Sequence, residues 1–166
     1  MGITSKGKDA EELFIKITGA IEIADKARGD CNLDGNDVEV KFADGGTANQ
    51  VRACKYIPLV VLSNEQWYVV PPNEIVAIAQ YRAGQHGKNS FENLTITVSV
   101  LASRGFKTDR FELKQAVLAA VATGNKYPRL KAVMLDIPVQ TKALANSQKE
   151  LVCNVLREET NQTGGI

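Results

Sequence analysis

The dipeptide Asp34-Gly35 constrains the fold of this chain more than any other two residues in it. A tight two-residue hairpin turn needs positive φ at both central positions, and Asp-Gly is among the strongest signals for one. Such a turn sets the register around it, pairing residues 33 with 36, 32 with 37, 31 with 38 and 30 with 39. Side chains alternate between the two faces of a strand. Cys31, Leu33, Val38, Val40 and Phe42 therefore share one face, and Asp30, Asn32, Asp37, Glu39 and Lys41 share the other. Asp30 is expected directly across from Glu39, with Cβ atoms about 4.5–5.5 Å apart. Lys41 follows Glu39 on the same face, roughly 7 Å further along the strand.

Three carboxylates on a small face with one lysine repel each other, and like charges directly opposite destabilise a sheet. A bound divalent cation would offset the repulsion, because hard cations take carboxylate oxygens. On a fully exposed face water and salt screen it and no cation is needed. Asp34 is required by the turn and Asp37 sits close to it, so neither is expected as a primary ligand. A turn of another length would shift the register by one and promote Asp37.

The pattern Gly29-Asp30 followed by Val38-Glu39-Val40-Lys41 resembles the motif of the PD-(D/E)XK nuclease superfamily, the restriction-endonuclease-like fold. The proline of the name is absent. The motif occupies about twelve residues, and its context adds to it: a helix before, a hairpin carrying it, an apolar strand after. The resemblance implies that Asp30, Glu39 and the Val40 carbonyl bind Mg²⁺, with Mn²⁺ able to substitute. It implies that Lys41 orients or deprotonates the attacking water and stabilises charge on the phosphate. In the family the preceding helix often supplies a further acid, which here is Glu11 or Glu12. Glutamine or basic residues just after the Glu-x-Lys strand commonly lie near the scissile phosphate, which points to Gln50, Arg52 and Lys55.

Length and composition are compatible with that reading. A chain of 166 residues can bury a core as one domain. No apolar run approaches a membrane span and the first residues lack an apolar signal region, so no membrane partner is expected. The three cysteines, Cys31, Cys54 and Cys153, have no metal-binding spacing. Cys31 and Cys54 read as small buried hydrophobes, consistent with a reducing cytoplasm. A net charge of +1 does not by itself announce a nucleic-acid binder. The charge is uneven, however. Residues 101–131 hold seven basic groups (Arg104, Lys107, Arg110, Lys114, Lys126, Arg129, Lys131) against Asp109 and Glu112, a local excess able to face phosphates or simply a solvated surface.

The rest of the chain alternates helical and strand patterns. Residues 1–8 read as mobile. Asp9-Ala10-Glu11-Glu12 reads as a capping box, and apolar residues at Phe14, Ile17, Ile21 and Ala24 favour a helix to about Ala27. The alternative is a helix ending near Ile17 and a strand through Ile21 and Ile23. A short helix is expected from Ala48 to Cys54, capped by Thr47. Strands are expected over 56–62 and 67–70, a helix from Asn73 to Arg82, and a loop over 83–90 containing His86, the only histidine. Arg82, Gln85, His86 and Lys88 of that region are candidates to touch DNA. A strand is expected over 94–100, a helix from Phe111 to Thr123 ended by Gly124 after an Asp109 capping box, a strand over 130–137, and a helix over 147–159 followed by a flexible tail, 161–166.

This order predicts an α/β (α+β) domain with a mixed central sheet flanked by helices, the layout of the restriction-endonuclease-like fold. Residues 9–82 would form the catalytic core and 83–160 would add elements for DNA and subunit contacts. The resemblance implies a Mg²⁺-dependent, site-specific endonuclease cutting double-stranded DNA as a cytoplasmic homodimer. Two alternatives stand beside it: a structure-selective, repair, phage or homing nuclease of the same fold, and a binding protein whose acidic hairpin does no chemistry.

Overall fold

A computed structural model describes residues 3–86, 91–137 and 146–164. The elements run α1 (Ile3–Thr18), β1 (Ile21–Glu22), β2 (Cys31–Leu33), β3 (Asn36–Phe42), β4 (Thr47–Val51), β5 (Leu59–Ser63), β6 (Gln66–Val70), α2 (Pro72–His86), β7 (Leu94–Thr97), α3 (Val98–Ser103), β8 (Lys107–Thr108), α4 (Leu113–Gly124), α5 (Pro128–Leu135) and α6 (Asn146–Gly164). A six-stranded mixed sheet, ordered β1-β2-β3-β5-β6-β8, forms the centre, and β4 and β7 make a separate two-stranded sheet. The fold class is therefore the mixed α/β arrangement expected. No helix among the described residues is long and apolar enough to cross a membrane.

The sheet is buried on both faces. Residues Val38 and Val40 of β3, Val60 and Leu62 of β5, and Trp67 and Val69 of β6 pack against Ala10 and Phe14 of α1 and Leu113, Val117 and Ala120 of α4. The alternate residues Leu59, Val61, Tyr68 and Val70 pack on the opposite side against α2, α5, α6 and the β4–β7 pair. Period-two alternation thus feeds two cores at once. The turn forms as expected: Asp34 and Gly35 have φ of 52° and 89°, and the pairs 31–38, 32–37 and 33–36 are in place.

Several expectations are corrected. The first helix begins at Ile3, so Asp9 is not its cap. It ends at Thr18, because Gly19 takes φ +80° and the Thr18 hydroxyl donates back to the Phe14 carbonyl at 2.7 Å. Ile21–Glu22 then pairs with β2, the alternative weighed from sequence. Residues 47–51 are a strand rather than a helix, since Ala48 and Val51 are buried opposite Ile96 and Leu94 of β7. Only a 3-10 turn, Ala53–Lys55, follows. The strand expected over 94–100 stops at Thr97 and becomes α3. The strand expected over 130–137 is instead the helix α5, Pro128–Leu135. Pro128 supplies the first-turn φ of α5, and the buried Glu159 carboxylate accepts from the Arg129 and Leu130 amides. Leu130 and Met134, four apart, are its core contacts. The terminal helix runs on through Gly164 into the expected tail, and α2 continues to His86. The pairing of β8 with β6 had no sequence signal.

One close approach depends on glycine. A Cβ on Gly124 would lie 2.9 and 3.0 Å from the Pro72 ring, which is rigid. The Gly124 carbonyl also accepts from the Tyr56 hydroxyl at 2.8 Å. Gly124→Ala is expected to lower unfolding free energy by about 1–3 kcal/mol, measured by urea denaturation followed through the single tryptophan, Trp67.

Candidate active site

β3 outlasts its neighbour. Residues 36–38 pair with β2, while residues 39–42 pair only with β5 on the other side. The expected 30–39 pair does not form. Asp30 instead donates its amide to the Val38 carbonyl at 3.0 Å, and its Oδ2 accepts from the Val40 amide at 2.9 Å. The slip moves the Asp30 carboxylate from a place across from Glu39 to the open edge of β3, where it satisfies the backbone in place of a strand.

Glu11, on the face of α1 one residue past the buried Ala10, meets Asp30 there. Burial first, and then the Asp30 carboxylate, push the Glu11 acid up from 4.5 to about 7, and a hydrogen bond between the two acids adds to the rise. Lys26 approaches Glu11 at 3.7 Å and Glu22 at 3.4 Å. Burial works against the Lys26 charge, but Glu11 and Glu22 more than offset it and its pKa is raised. Glu12 is exposed and is not among the charges acting on Glu11, so of the two acids expected from the helix Glu11 is the one that meets Asp30.

Glu39 and Lys41, two positions apart on β3, form an ion pair at 3.4 Å. Lys55 reaches the second Glu39 oxygen at 3.4 Å and the Lys26 carbonyl at 3.3 Å. The Lys55 and Glu39 side chains are only 13% and 12% exposed. Lys55 is thus engaged inside the protein and not presented to phosphates. Asp37 is held by Arg28 at 2.8 Å and by Asn32 at 2.9 Å. Burial raises its pKa, but these two partners win and keep it below the usual carboxylate range. The repulsion foreseen on the hairpin is therefore relieved by Arg28, Lys41 and Lys55. The pair Glu11–Asp30 is only partly compensated, by Lys26.

A groove of about 510 Å³ opens over that pair, lined by Glu11, Glu22, Lys26, Asp30, Lys41 and Gln50, with Val40 and Phe42 in its wall. Gln50 reaches it through a bulge in β4, where the register shifts between Ala48 and Val51 and Gln50 itself takes φ +56°. A non-glycine residue in the left-handed region costs of order 1 kcal/mol, and bulges re-aim side chains. Sequence pattern pointed to Gln50 but not to the bulge that delivers it. Glu39 is not among the described residues lining the groove. Arg52 lies apart, 3.6 Å from Glu92. The side chains of Arg82, Gln85 and His86, and all of Lys88, lie outside the described residues.

Among the described residues no group of three or more His, Cys, Asp or Glu side chains is close enough to hold a metal ion. Two adjacent carboxylates, of which Glu11 keeps its proton to about 7, do fit a hard divalent cation, which would take that proton's place. Asp30, Glu11 and the Val40 carbonyl are the groups able to hold it. No protein-family model, no curated protein and no solved structure matches this chain.

Proposed function

We propose that this protein is a Mg²⁺-dependent endonuclease hydrolysing phosphodiester bonds of double-stranded DNA, in the manner of the PD-(D/E)XK enzymes that its motif resembles. The observation that carries the reading is the Glu11–Asp30 pair, in one groove with Lys41 and Gln50. Asp30 and Glu11, with the Val40 carbonyl, would hold the cation, whereas Glu39, the donor that the resemblance implies, is paired with Lys41 and Lys55. When bound, Mg²⁺ polarises the scissile phosphate and lowers the pKa of a bound water. Lys41, 25% exposed and tethered to Glu39, would orient that water, take or hold its proton and offset charge on the phosphate. Gln50 on the rim would donate its amide to a phosphate oxygen. Restriction-type action further implies a homodimer, one site per strand, working in the cytoplasm. All three cysteines are free thiols, as a reducing compartment would keep them.

The test is incubation of the purified chain with plasmid and with long linear DNA, in Mg²⁺ and in chelator. Metal-dependent cutting to discrete bands is the expected result. Cutting of branched but not plain duplexes would reassign the substrate to DNA junctions. No cleavage of either would leave a binding protein.

A further inference from the structure

We infer that the turn of α1 at Gly7 and Lys8 seats a phosphate of the DNA backbone beside the Glu11–Asp30 pair, with Gly7 leaving the room and Lys8 supplying the charge. This rests on the nuclease reading for the identity of the anion. Both residues line the groove of about 510 Å³ over the pair. Gly7 stands four residues before Glu11, so the two share a face of the helix, about 6 Å apart along its axis. Helical side chains lean toward the N-terminus, so Glu11 reaches back toward the space above Gly7.

A glycine inside a helix lowers its stability. A left-handed backbone or a close approach can require one, and neither holds here. The φ of Gly7 lies outside the left-handed region, and a Cβ built on it would meet no heavy atom within 4 Å. Gly124 is the contrast, since its Cβ would strike Pro72. What the missing side chain at position 7 leaves is open space against bare helix backbone, next to two acids.

The charge calls for an anion once a cation is bound. Lys8, Lys26 and Lys41 balance Glu11, Glu22 and Asp30 around the groove. Lys26 already serves Glu11 and Glu22, and Lys41 serves Glu39. Lys8 is exposed and forms no ion pair with a described residue. Its neighbours on α1, Asp9 and Glu12, are exposed and stand outside the groove lining. A divalent cation on Glu11 and Asp30 would tip the balance to a positive excess, which backbone phosphates would neutralise. Those phosphates stand on the outside of a duplex, so a groove can take one with every base still paired, and such contacts set the register of the substrate.

Gly7→Leu and Lys8→Ala test the two halves. Gly7→Leu is expected to raise the urea midpoint by about 0.3–0.7 M, because leucine is the better helix former. It is expected to lower single-turnover cleavage about a hundredfold by displacing the substrate. A glycine with a merely structural role would not give higher stability together with lost function. Lys8→Ala is expected to weaken binding of a labelled duplex roughly 2- to 5-fold and to reduce the salt slope by about one. Fluorescence anisotropy in chelator at about pH 6 reads this, where nothing is cut and Glu11 keeps its proton. Gly7→Leu is expected to weaken binding in the same assay. Wild-type duplex affinity in either variant would overturn the inference. So would a lowered urea midpoint in Gly7→Leu, which would make the glycine a packing requirement. Cleavage at the wild-type rate in both variants defeats this inference and leaves the nuclease reading standing. Duplex binding that depends on Gly7 and Lys8, in a wild type that cuts no DNA, defeats the nuclease reading alone.

Discussion

Asp30→Asn and Lys41→Ala are each expected to lower the proposed Mg²⁺-dependent DNA cleavage by at least about a hundredfold, on the scale of losing a metal ligand or a positioned proton-transfer group. The two substitutions are chosen because the fold should survive both. In Asp30→Asn the side-chain amide oxygen still accepts from the Val40 amide, the contact that Asp30 makes at 2.9 Å. Lys41→Ala leaves Glu39 paired with Lys55, so no carboxylate is stranded. Asp30→Ala is different: it also leaves the Val40 amide without its acceptor, at a further cost of about 1 kcal/mol for a partly buried group. Single-turnover cleavage separates the effect on rate from the effect on DNA binding, and urea denaturation through Trp67 fluorescence separates both from stability. Undiminished cleavage in Asp30→Asn and Lys41→Ala together would remove the site from this groove.

The hairpin at the centre of that prediction was the most legible part of the chain, and the reason is local. Asp34-Gly35 needs nothing distant to adopt its φ values, and period-two alternation then assigns every side chain from Cys31 to Phe42 to a face. The slip at Asp30 was not legible. It arises where β2 gives out and β3 continues, which is a tertiary circumstance. Its effect is to exchange the Asp30–Glu39 confrontation for an Asp30–Glu11 one. The helix 3–18 was foreseen in kind and missed at both ends. Its start carries no capping signal, and its stop depends on Gly19 taking a positive φ that glycine permits but does not demand. The two helix–strand reversals, at 47–51 and 128–135, have one cause. Short apolar runs fit either period, and the arbiter is a partner far off in sequence: β7 for Ala48 and Val51, and the Glu159 carboxylate for the first turn of α5. Lys55 shows the same limit at a candidate site residue. Its type and position suited phosphate contact, yet burial against Glu39 redirects it inward.

Glu11 carries the second large effect, on how stability depends on pH and cation. Its folded-state pKa is raised from 4.5 to about 7 by burial and by Asp30. Below 4.5 both folded and unfolded chains hold this proton, and the group costs nothing. Between 4.5 and 7 the unfolded chain releases it while the folded chain keeps it, so stability falls as pH rises. Above 7 the whole penalty is present, about 2–3 kcal/mol after allowance for a side chain that is 20% exposed. A divalent cation at the pair would reverse the sign of that dependence, since it binds the doubly ionised form and stabilises the folded chain by mass action. Three results are therefore expected from Trp67-monitored urea denaturation. Without divalent cation the wild type loses stability from about pH 5 to about pH 7.5. Millimolar Mg²⁺ recovers it at about pH 7.5 and has little effect at about pH 5. Glu11→Gln flattens the pH dependence and abolishes the recovery, because it removes the titrating acid and leaves Asp30 with a neutral neighbour. A Glu11→Gln variant that retained both the pH slope and the Mg²⁺ response would place the titration, and the cation with it, on some other group.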